Sequence, residues 1–278
     1  MKSIGKSGYL GVSEDWAMSG ATPACLVSLV SAGEGVLERL RKASRSQRLL
    51  FRMAVCDLLR FAKRYVTYRE LGRLLGLQIT VLSRYVKGHV LPDVERSVEI
   101  WLKLGSMYGL RDVLVELGLK PNGVVDVSSI LGDPVSLRFV ATDCVLKYAG
   151  HRVTKVLTTA TGGASLATVV SMTLMVPMVV AKDHMDVGVD GFLEVVRGAV
   201  GERLDLLYIP EGSIKKGDSV LIVDDVVRSG RTVDALAELV SHVKAEVAGV
   251  YCLVGFKQGL ERLRGRGLRV EAAMEVVG

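Results

Sequence analysis

The stretch VLIVDDVVRSGRT, Val220 to Thr232, decides how this chain is read. Four apolar residues lead to two adjacent carboxylates, Asp224 and Asp225, and then to a small loop around Gly230. A short apolar run of this kind is a strand buried on both faces. The loop passes directly into TVDALAELV, which has helical periodicity, so the acids stand where a strand ends and a helix begins. In sheets covered by helices, ligands lie at the carboxyl ends of the strands. Two acceptor-only groups there suit vicinal hydroxyls. Gly230 permits close backbone approach, while Ser229, Thr232 and the N–H groups at a helix start suit an anion. A sugar phosphate satisfies both halves of the stretch.

Working outward, apolar runs near Val153–Leu157, Val176–Ala181, Leu206–Ile209 and Val250–Val254 alternate with helical segments, and a helix precedes them at about Pro134–Tyr148. This alternation predicts a mostly parallel sheet covered on both sides. TTATGGASLA, Thr158 to Ala167, repeats the strand, glycine turn and helix order, and Lys182 follows the next apolar run. The run from Ala164 to Ala181 is nearly long enough for a bilayer, but Pro177 divides it into a helix and a strand. Neither GxxxxGK[ST] nor GxGxxG occurs, which leaves nucleoside triphosphatase and dinucleotide readings without support. A response-regulator receiver also opens on such a strand, but only 53 residues follow Asp225.

The amino-terminal half has another character. Residues 1–120 hold nineteen Lys and Arg against eleven Asp and Glu, a net +8, and residues 121–278 hold seventeen against nineteen, a net −2. Thirteen of the basic residues fall between Arg39 and Lys87, with only Asp57 and Glu70 opposing them. A polyanion is the expected partner of such a stretch. A basic helix is expected from about Gly35 to Tyr65. In TYRELGRLLGLQITVLSRYVKG, Thr67 and Glu70 form a capping-box pair, Gly76 takes the turn, and Leu71, Leu75, Leu77, Leu82 and Tyr85 fall at buried positions. Gly72 allows the two helices to touch. This resembles the helix-turn-helix of repressor-type regulators, with a next helix entered through Pro92. The resemblance implies that Gln78, Thr80, Ser83, Arg84 and Lys87 face the major groove of duplex DNA, with Lys63, Arg64 and Arg73 on phosphates.

The carboxyl-terminal motifs resemble the phosphoribosyl pyrophosphate (PRPP) signature of type I phosphoribosyltransferases over roughly Val124 to Gly278. That resemblance implies PRPP binding by Asp224, Asp225, Arg228, Ser229, Gly230, Arg231 and Thr232. It implies a pyrophosphate loop at Ala160, Thr161, Gly162 and Gly163 with Lys182, magnesium accompanying PRPP, and a carboxyl-terminal hood in which Phe256 stacks on a base. The segment AKDHMDVGVDGFLEVVRGAVGERLD would be the loop that closes over the ligand. At the ninth signature position, usually Thr, Ala or Asp and in some purine enzymes a carboxylate, this chain has Arg228, a fixed cation that accepts no proton. Purine-repressor-type regulators similarly carry a basic residue there.

The expectation is therefore an α/β chain with an amino-terminal extension over 1–34, expected to be mobile, and an all-α helix-turn-helix domain over 35–120. A type I phosphoribosyltransferase domain with a mostly parallel sheet follows over 121–278. Its expected function is a homodimeric, cytoplasmic transcription regulator that senses PRPP or a purine nucleotide. The alternative is a purine-salvage phosphoribosyltransferase with an accessory nucleic-acid-binding domain. No histidine or cysteine spacing indicates a metal site, and the scattered cysteines fit a reducing compartment.

Overall fold

The computed structural model describes residues 36–38, 40–41, 43–64, 66–107, 126–160, 162–200 and 203–277. The extension over 1–34, the turn Pro121–Gly123, the domain boundary near 120 and Thr161 lie outside the described residues.

The basic helix expected from Gly35 is interrupted: residues 36–38 and 40–41 are helical, and helix α1 (Arg45–Ala62) begins after a break at Ala43 and Ser44. Ser44 has extended backbone, and its Oγ accepts from the Gln47 N–H at 3.1 Å while Gln47 Oε1 accepts from the Ser44 N–H at 2.8 Å. This reciprocal cap restarts the helix. Next come α2 (Tyr68–Leu75) and α3 (Ile79–Val86), joined through Gly76 at φ 66°. Thr67 and Glu70 make the expected capping box, and a Cβ on Gly72 would sit 2.9 Å from the Leu77 carbonyl oxygen. Leu71, Leu75 and Leu82 are buried together with Val55, Leu58 and Leu59 of α1 and with Val98 and Leu104 of α4 (Val94–Met107). Asp93 caps α4 by accepting from the Arg96 N–H.

After α5 (Ser128–Gly132) and α6 (Pro134–Lys147), the chain alternates. Strand β1 (Lys155–Thr159), α7 (Gly163–Leu174), β2 (Met178–Ala181), β5 (Ser219–Val227), α8 (Arg231–His242), β6 (Glu246–Phe256), α9 (Lys257–Gly265) and β7 (Val270–Val276) build a five-stranded parallel sheet in the order β2-β1-β5-β6-β7. Val220 and Ile222 of β5 point into an apolar layer with α8, and Leu221 and Val223 into a second layer with α6 and α7. Burial on both faces explains why the strand reads as an unbroken apolar run.

Two expectations require correction. Leu206–Ile209 belongs to β4 (Arg203–Pro210), which pairs antiparallel with β3 (Phe192–Val200) as a separate two-stranded sheet. The second half of the segment expected as a closing loop, from Phe192 on, thus lies in strands β3 and β4. This β-hairpin is tied to the edge strand by paired backbone bonds between Lys182 and Tyr208. The expected hood is likewise divided, since its last part, Val270–Val276, is the fifth strand of the main sheet.

The helices of the first half pack on α6. Trp101 of α4 lies between Phe51 of α1 and Phe139 of α6, with ring centres 5.9 and 5.1 Å away. Arg64, just past α1, pairs at 3.2 Å with Asp133, the cap of α6. Buried Asp57 of α1 is paired with Arg60, and Arg138 of α6 sits 2.9 Å from its other oxygen without hydrogen-bond alignment.

Candidate functional site

The acid pair lies near the end of β5, past Ile222, the last residue paired with β1, while the strand continues to Val227 along β6. Asp224 is 7% exposed and Asp225 half-buried. Burial, reinforced by the neighbouring Asp225 charge, pushes the Asp224 carboxyl well above the usual carboxylate range. The glycine turn of the β1–α7 connection lies directly against the pair. A Cβ on Gly162 would fall 1.7 Å from Asp225 Oδ2, and one on Gly163 would fall 2.5 Å from Thr158 Oγ1 and 3.1 Å from the Asp224 Cα. At Gly163 the Asp224 backbone leaves no room for a side chain, and at Gly162 one would push the Asp225 carboxylate aside.

On the other side, Gly230 caps α8 at φ 79°, a left-handed conformation, and packs against α9, where a Cβ would meet Leu263 at 2.9 Å. Asp224 and the loop from Val226 to Val233 line a cavity of about 110 Å³. Arg228, Ser229 and Arg231 are exposed and Thr232 is half-buried. Helix α9 braces this loop from behind. A Cβ on Gly259 would fall 2.3 Å from the Arg228 carbonyl oxygen, and Arg262 donates at 2.7 Å to the Ser229 carbonyl while pairing with Asp234. The motif reading missed this bracing, although the glycine and arginine of KQGLER were its only available signals.

The structure brings Gly162, Gly163, Asp224, Asp225 and the loop 228–232 to one end of the sheet. Ala160 is exposed in the turn, and Thr161 lies outside the described residues. Lys182, at the end of β2, is engaged by Asp186, whose two oxygens accept from its Nζ at 2.7 and 2.8 Å. Arg197 of the hairpin is an unforeseen member of the neighbourhood. It forms a bidentate pair with Asp205 at 2.8 and 2.9 Å, which raises its pKa, and Asp183 and Asp224 add to the attraction. Phe256, at the end of β6, is half-buried, and the Arg228 guanidinium lies over its ring at 5.4 Å.

The second candidate surface is α3. Gln78, Thr80, Arg84 and Lys87 are exposed and Ser83 is half-buried. Among the described residues, Arg69, Arg73, Arg84 and Lys87 make no ion pair within 4 Å. Other cations of the basic stretch have internal work. Arg52 Nε donates to the Pro92 carbonyl at 2.6 Å and Arg60 Nε to the Val86 carbonyl at 2.7 Å, the latter satisfying the last turn of α3. Lys63 donates to the Val66 carbonyl at 3.1 Å and lies 4.9 Å above the Tyr68 ring, and Arg64 pairs with Asp133. Charge counting alone therefore overstates the free cationic surface.

Residues 136–273 match the model of the phosphoribosyl transferase domain. The chain is 31% identical over 160 residues to the xanthine phosphoribosyltransferase of Moorella thermoacetica, covering 55% of this chain and 82% of that protein. It is 32% identical over 145 residues to the purine biosynthesis transcriptional repressor PurR of Bacillus subtilis, covering 51% of this chain and 50% of the repressor, so it spans about half the length of that regulator. In fold, it superposes on adenine phosphoribosyltransferase from Rhodothermus marinus with a TM-score of 0.52 at 23% identity, covering 59% of this chain and 97% of that one. The glycine turn pressed against an acid pair at the end of β5 and these matches agree, and the chain belongs to the phosphoribosyltransferase family, with similarity to its purine-repressor-type members.

Proposed function

We propose that the chain is a DNA-binding transcription regulator whose phosphoribosyltransferase domain senses PRPP or a purine nucleotide. The observation that carries this reading is the coexistence of two surfaces in one chain. One is a cavity lined by Asp224 and the loop from Val226 to Val233, and the other is an exposed helix whose Arg84 and Lys87 form no ion pair with a described residue. Asp224 and Asp225 grip the ribose hydroxyls, and the loop from Arg228 to Thr232 with the α8 N-terminus holds the phosphate. The pyrophosphate lies along the backbone of the glycine turn at Gly162 and Gly163, where Lys182 joins after releasing Asp186. Ala160 belongs to the same turn.

Helix α3 enters the major groove, Gln78 and Arg84 read base edges, and Thr80, Ser83 and Lys87 support them. Two copies read two half-sites about one helical turn apart. Among the described residues no helix is long and apolar enough to cross a membrane, and the regulator works in the cytoplasm. Magnesium accompanies PRPP. The donor chemistry fits, since the pocket offers the two hard carboxylate oxygen donors, Asp224 and Asp225, that this cation favours, and its charge offsets that of the pyrophosphate.

The 82% coverage of a xanthine phosphoribosyltransferase favours a second reading, a salvage enzyme with an added nucleic-acid-binding part. Arg228 argues against it, because a guanidinium offers a base no proton acceptor. Titrating an operator fragment with and without PRPP, and assaying pyrophosphate release with adenine, hypoxanthine, guanine and xanthine, separates the two. A regulator shifts its operator affinity by roughly 5- to 150-fold with negligible turnover. Turnover near 1 per second, ordinary for an enzyme, with DNA affinity unmoved by PRPP would reject the regulator.

A further inference from the structure

Arg228 does more than face the anion loop. Strands β5 and β6 pair through Val227 and Gly255, so Phe256 stands at the same end of the sheet as the acid pair. A half-buried aromatic face beside the cavity lined by the Val226–Val233 loop is a stacking platform for a planar base. Here that face is already covered. The planar guanidinium of Arg228 lies 5.4 Å from the ring centre, in cation–π range. The backbone beneath it is fixed, because Gly259 abuts the Arg228 carbonyl and Arg262 holds the Ser229 carbonyl at 2.7 Å. A base could reach the ring only by displacing the guanidinium, which would forfeit the cation–π contact.

We infer that Arg228 is an internal occupant of the base position, so that the pocket gains no affinity from a base and discriminates among phosphoribosyl ligands by their phosphate groups. This rests on the phosphoribosyl reading above and narrows its ligand class. The base contributes nothing to affinity in the wild-type protein, whereas the added positive charge favours the ligand with more phosphate.

The test is calorimetric titration of the full chain with ribose 5-phosphate, PRPP, AMP and GMP. Wild type, Arg228→Ala and Arg228→Ala/Phe256→Ala are compared. Wild type should bind ribose 5-phosphate and both nucleotides within about threefold of each other, and PRPP more tightly. Arg228→Ala should prefer a nucleotide over ribose 5-phosphate by about tenfold, as one stacked base allows. The double variant should lose that preference. A tenfold nucleotide preference already present in wild type overturns the inference, and that arm depends on no variant folding. So does an Arg228→Ala protein that binds ribose 5-phosphate yet gains no preference. Failure of ribose 5-phosphate and PRPP to bind any of the proteins would overturn the phosphoribosyl reading itself, and this inference with it.

Discussion

The pocket at the end of β5 and the exposed surface of α3 are built on opposite principles. In the pocket, backbone sits against carboxylate with no space for a Cβ at Gly162 or Gly163, and Asp224 is held in a buried, electrostatically unfavourable position. On α3, the candidate contact residues are exposed, and Arg84 and Lys87 form no ion pair with a described residue. The first arrangement is preorganised for a ligand whose shape is fixed. The second leaves long cationic side chains free to adjust to a phosphate backbone and base edges. Damage to the pocket should therefore abolish binding outright, and damage to α3 should grade it.

The largest effect expected is on the pocket. Asp224→Ala/Asp225→Ala removes hydrogen bonds to charged groups worth about 1.5–3 kcal/mol each, so PRPP affinity should fall at least a hundredfold. DNA binding without PRPP should persist. Calorimetry and a DNA gel shift on one preparation check both, and an unchanged PRPP dissociation constant would break the pocket half of the comparison. The milder Asp224→Asn exposes the cost of burial. With its folded pKa raised, wild-type Asp224 stabilises the fold below the ordinary carboxylate pKa of about 3.9 and loses that contribution as pH rises toward the folded value. The melting temperature of Asp224→Asn relative to wild type should therefore climb from pH 5 upward, and a flat difference would contradict it.

Gly163→Ala comes next. The added Cβ meets Thr158 Oγ1 and the Asp224 backbone, neither of which is the free end of a long side chain. Overpacking of this kind costs about 1–3 kcal/mol, read as a lower denaturation midpoint together with weaker PRPP binding. Gly76→Ala should cost less, since it meets nothing within 4 Å and suffers only from its φ of 66°.

How much of this was legible depended on where the determinants lie along the chain. The capping box of Thr67 and Glu70, the turn at Gly76 and the glycine turn at 162–163 are local signatures that appear where the sequence places them, while the acid pair, expected at the strand's end, lies inside β5 two residues before Val227. The β3–β4 hairpin was not legible. VDGFLEVVRGAVGERLDLLYIP carries charges on both strands, and what stabilises it is cross-strand, the Arg197–Asp205 pair and the Lys182–Tyr208 bridge. Strand β7 was missed for a related reason, because its apolar alternation follows a basic helix and finds its partner in β6. The side chains that consume charge, Arg52, Arg60, Lys63 and Arg64, likewise depend on partners that no local window reveals.

Those consumed charges sharpen the α3 half of the comparison. Arg84→Ala should cost about 1–3 kcal/mol in operator binding and relax specificity at one position. Lys63→Ala should mainly lower the melting temperature, since its ammonium is spent on the Val66 carbonyl and the Tyr68 ring, and should leave the salt slope of DNA binding nearly unchanged. A slope reduced by about one unit would instead return Lys63 to the phosphate-contacting surface.

The smallest effect expected concerns what joins the two regions. Arg138 of α6 approaches Asp57, Asp57 pairs with Arg60, and Arg60 donates to the Val86 carbonyl at the end of α3, so a contiguous polar chain runs from the phosphoribosyltransferase domain to the exposed helix. Contiguity alone is no proof of coupling, because a ligand shifts an equilibrium only if the two arrangements differ in its affinity. Arg138→Ala separates the possibilities. It leaves Asp57 with Arg60, keeps both surfaces intact, and removes only the link across α1 and α6. If this chain carries part of the communication, the variant should bind PRPP and DNA separately as wild type does, while the PRPP-induced change in operator affinity shrinks by about 0.5–2 kcal/mol, or roughly two- to thirtyfold. A thermodynamic cycle of four dissociation constants measures it. Undiminished coupling would shift attention to the apolar contact of Phe51, Trp101 and Phe139 and to the Arg64–Asp133 pair as connections through which the halves sense each other.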